Sequence, residues 1–290
     1  MCRLFGLLGE PHQPPDHSLA RSDRSLLSLA NVREDVRQGE GWGIAWYGPD
    51  RRPVVVKGIG CAADPGEREA YMAASARART PLVLGHLRKA SNPKKLPRER
   101  LLGLANSQPF VHGSTLFAHN GSIPLPDATR SLCGRYESEI RGVNDSEVLF
   151  YLVLNHLDMT SDPARAFADT VADLTRIWNQ EGRPGKFAYS GLNVLLALGP
   201  HELWAFCLSA GEPKRGLRDK TVPYYQMTYA GDTTHLLVAS EVLDTTRTDW
   251  KPLTNGSYLV AQDEHGTVRF RTGAIPLAPG LRAAPALAAV

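Results

Sequence analysis

The sequence predicts an α+β fold built on antiparallel sheets. Most of the candidate strands follow one another through short turns rich in glycine and proline, as antiparallel neighbours do. Candidate helices come between groups of strands and do not alternate with single strands, so a parallel βαβ repeat is not indicated. With 290 residues, the chain is long enough for one large domain or at most two small ones.

Candidate strands are the commonest pattern along the chain. Each is a short run of apolar or alternating residues bounded by turn-forming residues. The turn GPDRR joins two of them, EHG joins the last two, and Gly199 and Pro200 mark a hairpin turn. The predicted strands cover residues 2–8, 43–47, 53–58, 82–88, 115–120, the two halves of 193–208, 235–240, 257–263 and 267–272.

Four segments predict helices: one within residues 16–31, and three over 66–79, 145–157 and 163–180. The helix at 145–157 has the clearest start, because Asn144 followed three residues later by Glu147 fits a capping box. We find no internal repeat and no interdomain linker. The sequence therefore predicts one domain over residues 2–272, followed by a loosely attached Ala- and Pro-rich tail over 273–290.

The composition is that of an ordinary globular protein, with a net charge of +3, 42% hydrophobic and 22% charged residues. It gives no reason to expect nucleic acid or a membrane as a partner. Neither the four cysteines nor the nine histidines have zinc-site spacing, so we expect no metal and no cofactor. The N-terminal apolar stretch is too short for a signal peptide, and no apolar run approaches the roughly 18 residues that span a bilayer. These features favour a cytoplasmic protein.

The chain opens with MCRLFGLLG, which places a cysteine directly after the start methionine. If Met1 is removed, Cys2 carries a thiol and a free α-amine on one residue. The amine, with a reference pKa of roughly 7.7–8.0, can serve as the base for the thiol. Acyl transfer through a thioester then needs no separate histidine. The alternative is a buried free cysteine that begins an edge strand.

Two further segments contain groups that acyl transfer from an amide would use. In FAHNGSI, the Asn120 side chain and the Gly121 N–H can point at one developing oxyanion, although Asn-Gly is also a common tight turn. In LGHLRKASN, Arg88 can bind a carboxylate through two hydrogen bonds, to which Ser91 and Asn92 can add neutral ones. The alternative for Arg88 is a surface position in a basic loop.

Two more segments complete the set. In NDSEV, Asp145 can accept hydrogen bonds from a ligand ammonium, or it can be a carboxylate that caps a helix. In GEGWGIAWY, three glycines bracket Trp42 without dinucleotide-site spacing, which favours a bent loop on the substrate side. Together these segments offer a nucleophile with its own base, an oxyanion pair, a cation for a carboxylate and an anion for an ammonium. Glutamine or another γ-glutamyl amide is the simplest substrate that matches all four.

The segments MCRLFGL, EGWGIAW, GHLRKAS, FAHNGSI and NDSE, in this order, resemble the class II glutamine amidotransferases, the N-terminal-nucleophile hydrolases with a leading cysteine. VASEVLD and WKPLTNGSYLV resemble the closing strands of that family, so the likeness covers roughly residues 2–262. The resemblance implies a four-layer αββα sandwich with Cys2 as nucleophile and with Asn120 and Gly121 as oxyanion hole. It implies that Arg88 and Ser91 hold the substrate α-carboxylate and Asp145 the α-amine, and that Asn92 and Trp42 lie at the pocket edge.

After residue 262 nothing of the size of a synthase domain follows, so the chain is similar to short stand-alone members such as the γ-glutamyl hydrolase of ergothioneine biosynthesis. We expect hydrolysis of a small-molecule γ-glutamyl amide. One alternative is a glutaminase subunit that supplies ammonia to a separate synthase, and another is a catalytically silent γ-glutamyl-binding module. The polar segment 209–226 is predicted to be a loop that borders the pocket and contacts the leaving group.

Overall fold

The computed structural model describes residues 2–183, 186–211 and 215–281. Two antiparallel sheets, one of seven strands and one of six, face each other, and helices cover the outer side of each. The result is a four-layer αββα sandwich, which confirms the predicted α+β class and its antiparallel sheets. Within these ranges, no helix combines the length and the apolar character that a membrane crossing needs.

The strands and helices follow one another in the order that builds these layers. The strands are β1 (Arg3–Gly9), β2 (Trp42–Tyr47), β3 (Pro53–Gly58), β4 (Leu82–Leu87), β5 (Phe110–His112), β6 (Thr115–Gly121), β7 (Leu192–Leu198), β8 (Glu202–Cys207), β9 (Met227–Gly231), β10 (His235–Ala239), β11 (Lys251–Leu253), β12 (Ser257–Glu264) and β13 (Thr267–Ala274). The helices are α1 (Pro65–Arg77), α2 (Arg98–Leu101), α3 (Pro126–Arg130), α4 (Asp145–Thr160) and α5 (Pro163–Gln180). Sheet A has the order β11-β9-β10-β1-β4-β2-β3, and sheet B has the order β13-β12-β8-β7-β6-β5.

The first strand of the chain lies in the middle of sheet A, between β4 and β10. The register pairs Arg3 with Leu87 on β4 and Phe5 with Ala239 on β10. Every residue of β1 is buried, since both faces of this sheet are covered, and a continuous apolar sequence is what such a strand requires. Cys2 directly precedes β1 and is only 7% exposed.

The layer between the sheets is filled by aliphatic side chains from alternate strand positions. On β1 these include Leu4, and on β6 they include Leu116 and Ala118. Because side chains alternate across a strand, Cys2 and Asn120 continue these two rows toward one end of the sandwich. The apolar inner layer therefore ends in a thiol and an amide at that end.

Helix α4 begins at the predicted position, but its first turn is held differently. The Asn144 side chain accepts a 2.8 Å hydrogen bond from the N–H of Ser146, as an N-cap does. The carboxylate of Glu147 accepts from the N–H groups of Arg141 and Gly142, at 3.1 and 2.7 Å. It therefore orders the segment before the helix instead of closing a capping box with Asn144.

The helix predicted within residues 16–31 is wrong in extent. The structure contains two short turns there, His17–Arg21 and Leu27–Leu29. A Cβ at Gly85 on β4 would lie within 3 Å of the side chains of both Leu19 and Leu26, so this segment is pressed against sheet A. Docking of irregular turns onto the sheet, which sequence spacing does not reveal, replaces the regular helix.

Three short strands, β5, β9 and β11, are absent from the sequence prediction, since strands of three to five residues give little periodic signal. At the end of the chain, β13 continues through Ala274, and Ile275 is buried against the α4–α5 side of sheet B. The predicted tail thus begins inside the last strand. Residues 282–290 lie outside the described ranges.

Candidate active site

Cys2 directly precedes β1, and its thiol lies at one end of the apolar layer between the two sheets. Its Sγ is 3.6 Å from the carbonyl oxygen of Lys89, in the segment that follows β4. Burial raises the pKa of this thiol, and the charge of Asp145 raises it further, while the charge of Arg88 lowers it. The net effect keeps the thiol protonated at neutral pH, so a base must take its proton before it can attack a carbonyl.

Arg88 is buried at the end of β4 and is held by a bent loop. Its Nη1 donates 2.9 Å hydrogen bonds to the carbonyl oxygens of Glu40 and Leu101. The loop bends at Gly41, where φ is +130° and a Cβ would lie 2.7 Å from Ser107 Oγ. The Arg88 side chain makes no further hydrogen bond to the residues described, which leaves Nε and Nη2 as its donors for a ligand.

The carboxylate of Asp145 joins three segments of the chain. Its Oδ1 accepts 2.6 and 3.1 Å hydrogen bonds from Ser91 Oγ and from the N–H of Ser146, and its Oδ2 accepts a 3.0 Å bond from the N–H of Ile123. Asp145 is 1% exposed and is the first residue of α4. The carboxylate thus connects the loop after Arg88 with the end of β6, and one acceptor position stays available for a donor.

Asn120 and Gly121 form the end of β6. Asn120 is fully buried, and neither its Oδ1 nor its Nδ2 has a hydrogen-bond partner among the residues described. A Cβ on Gly121 would lie 1.7 Å from the carbonyl oxygen of Gly191, so only glycine permits this approach of β6 to the start of β7. Buried polar atoms without partners are rare in folded proteins and are concentrated at functional sites.

His119, which sequence reasoning did not single out, holds this strand end in place. Its Nε2 is 3.1 Å from the carbonyl oxygen of Gly191 and its Nδ1 is 2.9 Å from Ser146 Oγ. A carbonyl only accepts, so Nε2 carries the proton and Nδ1 accepts from the serine hydroxyl. Burial lowers the pKa of His119, which keeps the ring neutral. The only signal for His119 was its place inside the FAHNGSI segment.

The described part of segment 209–226 reaches the nucleophile, as predicted for a loop that borders the pocket. Tyr224 Oη donates a 3.3 Å hydrogen bond to the carbonyl oxygen of Cys2. Asn193 on β7 holds the next residue through a 2.6 Å bond to the carbonyl oxygen of Tyr225. The contact between Tyr224 and Cys2 joins residues 222 positions apart, and no motif marks it.

The indole of Trp42 is held by α1, and its place at the pocket edge stays a prediction. The indole Nε1 donates a 2.5 Å hydrogen bond to Glu67 on α1, and the ring packs edge-on against Tyr71, 5.2 Å between centroids. Trp42 pairs with Leu87 and both lie in the apolar layer between sheet A and α1, on the side opposite Leu4. A half-buried carboxylate and an aromatic partner on α1 fix the position of the indole.

Asn92 is exposed, and its amide closes a turn of its own loop. Nδ2 donates to the carbonyl oxygen of Leu96 and Oδ1 accepts from the N–H of Leu96, both at 2.8 Å. The geometry thus gives Asn92 a role in shaping the segment after Arg88, and its contact with substrate stays a prediction.

Away from this site, His12, Asp232 and His235 offer metal-ligand atoms within 4.8 Å of one another. Both ring nitrogens of His235 are engaged, Nδ1 by Thr234 Oγ1 at 2.9 Å and Nε2 by Arg247 Nη1 at 2.5 Å. Because Arg247 donates to Nε2, the ring proton is on Nδ1, the nitrogen that faces Asp232 at 3.4 Å, and Nδ1 has no lone pair to offer a cation. The cluster is a hydrogen-bonded junction at the end of β10.

Taken together, one end of the sandwich holds a buried thiol, an unpaired amide, a guanidinium with unused donors and a carboxylate with an unused acceptor position. Arg88 and Asp145 both act on the titration of Cys2, which places them close to the thiol. Asp145 in turn is bonded to the residues that follow Arg88 and Gly121. These groups can bind a zwitterionic head group and attack a carbonyl on the same molecule.

Comparisons with known proteins point to one family. The family model described as glutamine amidotransferases class-II matches residues 1–275. A glutamine aminotransferase class-II domain protein from Silicibacter pomeroyi has a similar structure, with a TM-score of 0.61 and 22% identity over 94% of this chain and 100% of that one. Glutamine phosphoribosylpyrophosphate amidotransferase from B. subtilis gives a TM-score of 0.60 and 16% identity over 96% of this chain.

The present chain spans half the length of the B. subtilis enzyme. At these identities both structures establish the fold alone. No curated protein sequence matches the chain closely enough to narrow its substrate.

Proposed function

Because the chain belongs to the class II glutamine amidotransferases and is therefore an amidohydrolase-type enzyme, we propose that it hydrolyses the γ-amide of glutamine or of a γ-glutamyl metabolite. The products are glutamate and ammonia or an amine. The observation that carries this proposal is the fully buried Asn120 amide, which has no partner in the described structure and lies next to a glycine at the Cys2 end of the sandwich. An oxyanion that forms during amide cleavage would satisfy its N–H.

The reaction begins after removal of Met1, which frees the α-amine of Cys2. The amine takes the thiol proton, and the sulfur attacks the γ-carbonyl carbon of the substrate. Asn120 Nδ2 and the N–H of Gly121 donate to the oxygen of the tetrahedral intermediate. The ammonium formed on Cys2 returns its proton to the leaving nitrogen, the C–N bond breaks, and a thioester remains on Cys2. Water, deprotonated by the same amine, hydrolyses the thioester and releases glutamate.

The substrate head group is held by the two charged residues beside the thiol. Nε and Nη2 of Arg88 would donate to the α-carboxylate, with Ser91 next to them. The remaining acceptor position of Asp145 would bind the α-ammonium. Ser91 already donates to Asp145, so the carboxylate and ammonium sites share one hydrogen-bonded unit. This arrangement favours substrates that keep both α-groups of glutamate free.

The first experiment is mass spectrometry after incubation with 6-diazo-5-oxo-norleucine, an electrophilic glutamine mimic. We expect loss of Met1 and one adduct, located on Cys2. A processed chain that stays unlabelled, or an adduct on another residue, would contradict the proposal. Steady turnover of γ-glutamyl amides by the isolated chain would then separate a hydrolase from a subunit that works only with a synthase.

Asp145→Asn tests the ammonium site. The substitution keeps the size of the side chain but removes its charge, so we expect kcat/KM for substrates with a free α-amine to fall by about 10- to 100-fold. Desamino analogues, which lack the ammonium, should lose far less. Steady-state kinetics on the two substrate series measure this difference.

Asn144→Ala is the matched control, because it removes the N-cap of the same helix and costs about 1 kcal/mol of stability without touching the ammonium site. It should affect both substrate series equally. If Asp145→Asn also affects them equally, Asp145 is a structural carboxylate and the assignment is wrong.

A further inference from the structure

A second charged cluster lies on the other side of Cys2 from Arg88 and Asp145. Arg3 is fully buried, and its guanidinium carbon is 3.7 Å from the centroid of the Tyr224 ring. None of its three side-chain nitrogens makes a hydrogen bond to the residues described. Tyr224 is the residue whose hydroxyl donates to the carbonyl oxygen of Cys2. Arg3 is thus joined to the nucleophile both by a peptide bond and through this ring.

The negative charge that faces Arg3 is the carboxylate of Glu241, which also accepts hydrogen bonds from other groups. Its Oε1 is 3.5 Å from Arg3 Nη1, but its oxygens accept hydrogen bonds from the N–H groups of Leu217 and Arg218. Arg218 also lies in this region and donates to Ser28 Oγ at 2.6 Å. Glu241 therefore compensates the charge of Arg3 only in part.

A buried guanidinium without hydrogen bonds is costly, and an apolar side chain of similar length would remove that cost. The stack on Tyr224 needs only a flat or apolar surface, and the buried Glu241 already has two N–H donors besides Arg3. Loss of Met1 creates one new ionisable group next to Arg3, which is the α-amine of Cys2.

We propose that Arg3 is a positioning residue whose buried charge keeps the α-amine of Cys2 neutral near pH 7, with Glu241 limiting this effect. The inference rests on the proposed function, since it concerns the base of that reaction. An ordinary α-amine, with a pKa of roughly 7.7–8.0, is mostly protonated at pH 7 and cannot accept the thiol proton. A nearby positive charge disfavours the ammonium form and lowers that pKa.

The other charged and titratable groups around Cys2 are accounted for. On the inner side, Arg88 is opposed by Asp145 and by Glu40, which lies close enough to act on it. On the outer side, burial raises the pKa of Tyr224 to about 12, and that of Tyr225 likewise to about 12, so neither phenol is charged in the working range. The charge next to the amine that is compensated only in part is therefore that of Arg3.

The test is the pH profile of kcat/KM, whose acidic limb reports deprotonation of the free enzyme's base. Arg3→Met removes the positive charge, so the amine pKa rises and the limb should move up by about 1 pH unit. Glu241→Gln removes the negative charge, so the limb should move down by a similar amount. Arg3→Lys keeps the charge and should leave the limb within about 0.3 unit of the wild type.

Opposite shifts from two substitutions in one cluster separate electrostatics from structure. A merely structural role would lower kcat in all three variants and leave the limb in place, and that result would overturn the inference. If Arg3→Met does not fold, the other two variants test the inference. A downward shift of the acidic limb in Glu241→Gln, with an unchanged limb in Arg3→Lys, would support it, and an unchanged limb in Glu241→Gln would overturn it. Intact mass must first show that every variant has lost Met1.

A chemical-shift titration of protein labelled with ¹³C-cysteine gives the amine pKa independently of turnover, through the Cα signal of Cys2. We expect this pKa to rise in Arg3→Met and to fall in Glu241→Gln. Equal values in all variants would refute the inference even where the enzyme works as proposed. Conversely, turnover that survives Cys2→Ala would refute the proposed function itself.

Discussion

Cys2→Ala is expected to abolish turnover of every γ-glutamyl substrate, with a loss of at least about 10⁴-fold in kcat. The substitution removes the sulfur on which the thioester forms, while the amine, the oxyanion donors and the head-group site stay in place. The fold should survive, because the thiol makes a single long contact to the carbonyl oxygen of Lys89. Turnover assays, with circular dichroism to check the fold, measure both effects.

Cys207→Ala is the matched control for this experiment. Cys207 is also a buried free thiol, and burial raises its pKa to about 12, so it cannot supply a thiolate. Its loss should cost some stability, as a small cavity in the inner layer does, and should leave kcat unchanged. Activity in Cys2→Ala, or its loss in Cys207→Ala, would place the nucleophile elsewhere.

Asn120→Leu is expected to lower kcat by about 10²- to 10³-fold without lowering the melting temperature. The loss follows from removal of one donor to the oxyanion. Stability should be kept or increased, because the wild-type amide is buried with neither of its polar atoms bonded to a described residue, and leucine has a similar shape. A stability–activity trade-off of this sign is the signature of a binding group held ready for the transition state.

The chain contains its own control, since Asn193 pairs with Asn120 across β6 and β7 on the same face of the sheet. The Asn193 amide is bonded at both ends, to the carbonyl oxygen of Tyr225 and the N–H of Leu208. Asn193→Leu should therefore destabilise the protein by about 1–3 kcal/mol. If Asn120→Leu destabilises it as much, or leaves kcat unchanged, Asn120 is a structural residue.

The parts of this fold that sequence reasoning reached are those with a local cause. Helix α5, bounded by Asp162 and its following proline, begins and ends as predicted, because its cap and its apolar face lie within one stretch of chain. The central strands could also be predicted from local sequence, because a nearly continuous apolar run such as RLFGLLG indicates a strand buried on both faces. The residues of the candidate site were found as motifs, each within a few positions.

The parts that were missed depend on distant contacts. The partners of Trp42 on α1, Glu67 and Tyr71, are 25 and 29 positions away, and nothing in GEGWGIAWY indicates them. The cluster of Arg3, Tyr224 and Glu241 is harder still to predict from sequence, since it joins the first residue of β1 to residues beyond 220. Such contacts follow from the strand order of sheet A, which spacing along the chain does not reveal.

The central position of β1 has a consequence for how the protein is made. Both neighbours of β1 in sheet A, residues 82–87 and 235–239, are synthesised after it, and the second leaves the ribosome only when most of the chain has been translated. At about 5–20 residues per second, β1 lacks its second neighbour for roughly 10–50 s. A methionine aminopeptidase needs an accessible chain end, and in the folded protein Cys2 is buried. If Met1 is excised, as the proposed mechanism requires, we expect the cut to precede closure of the sheet around Cys2.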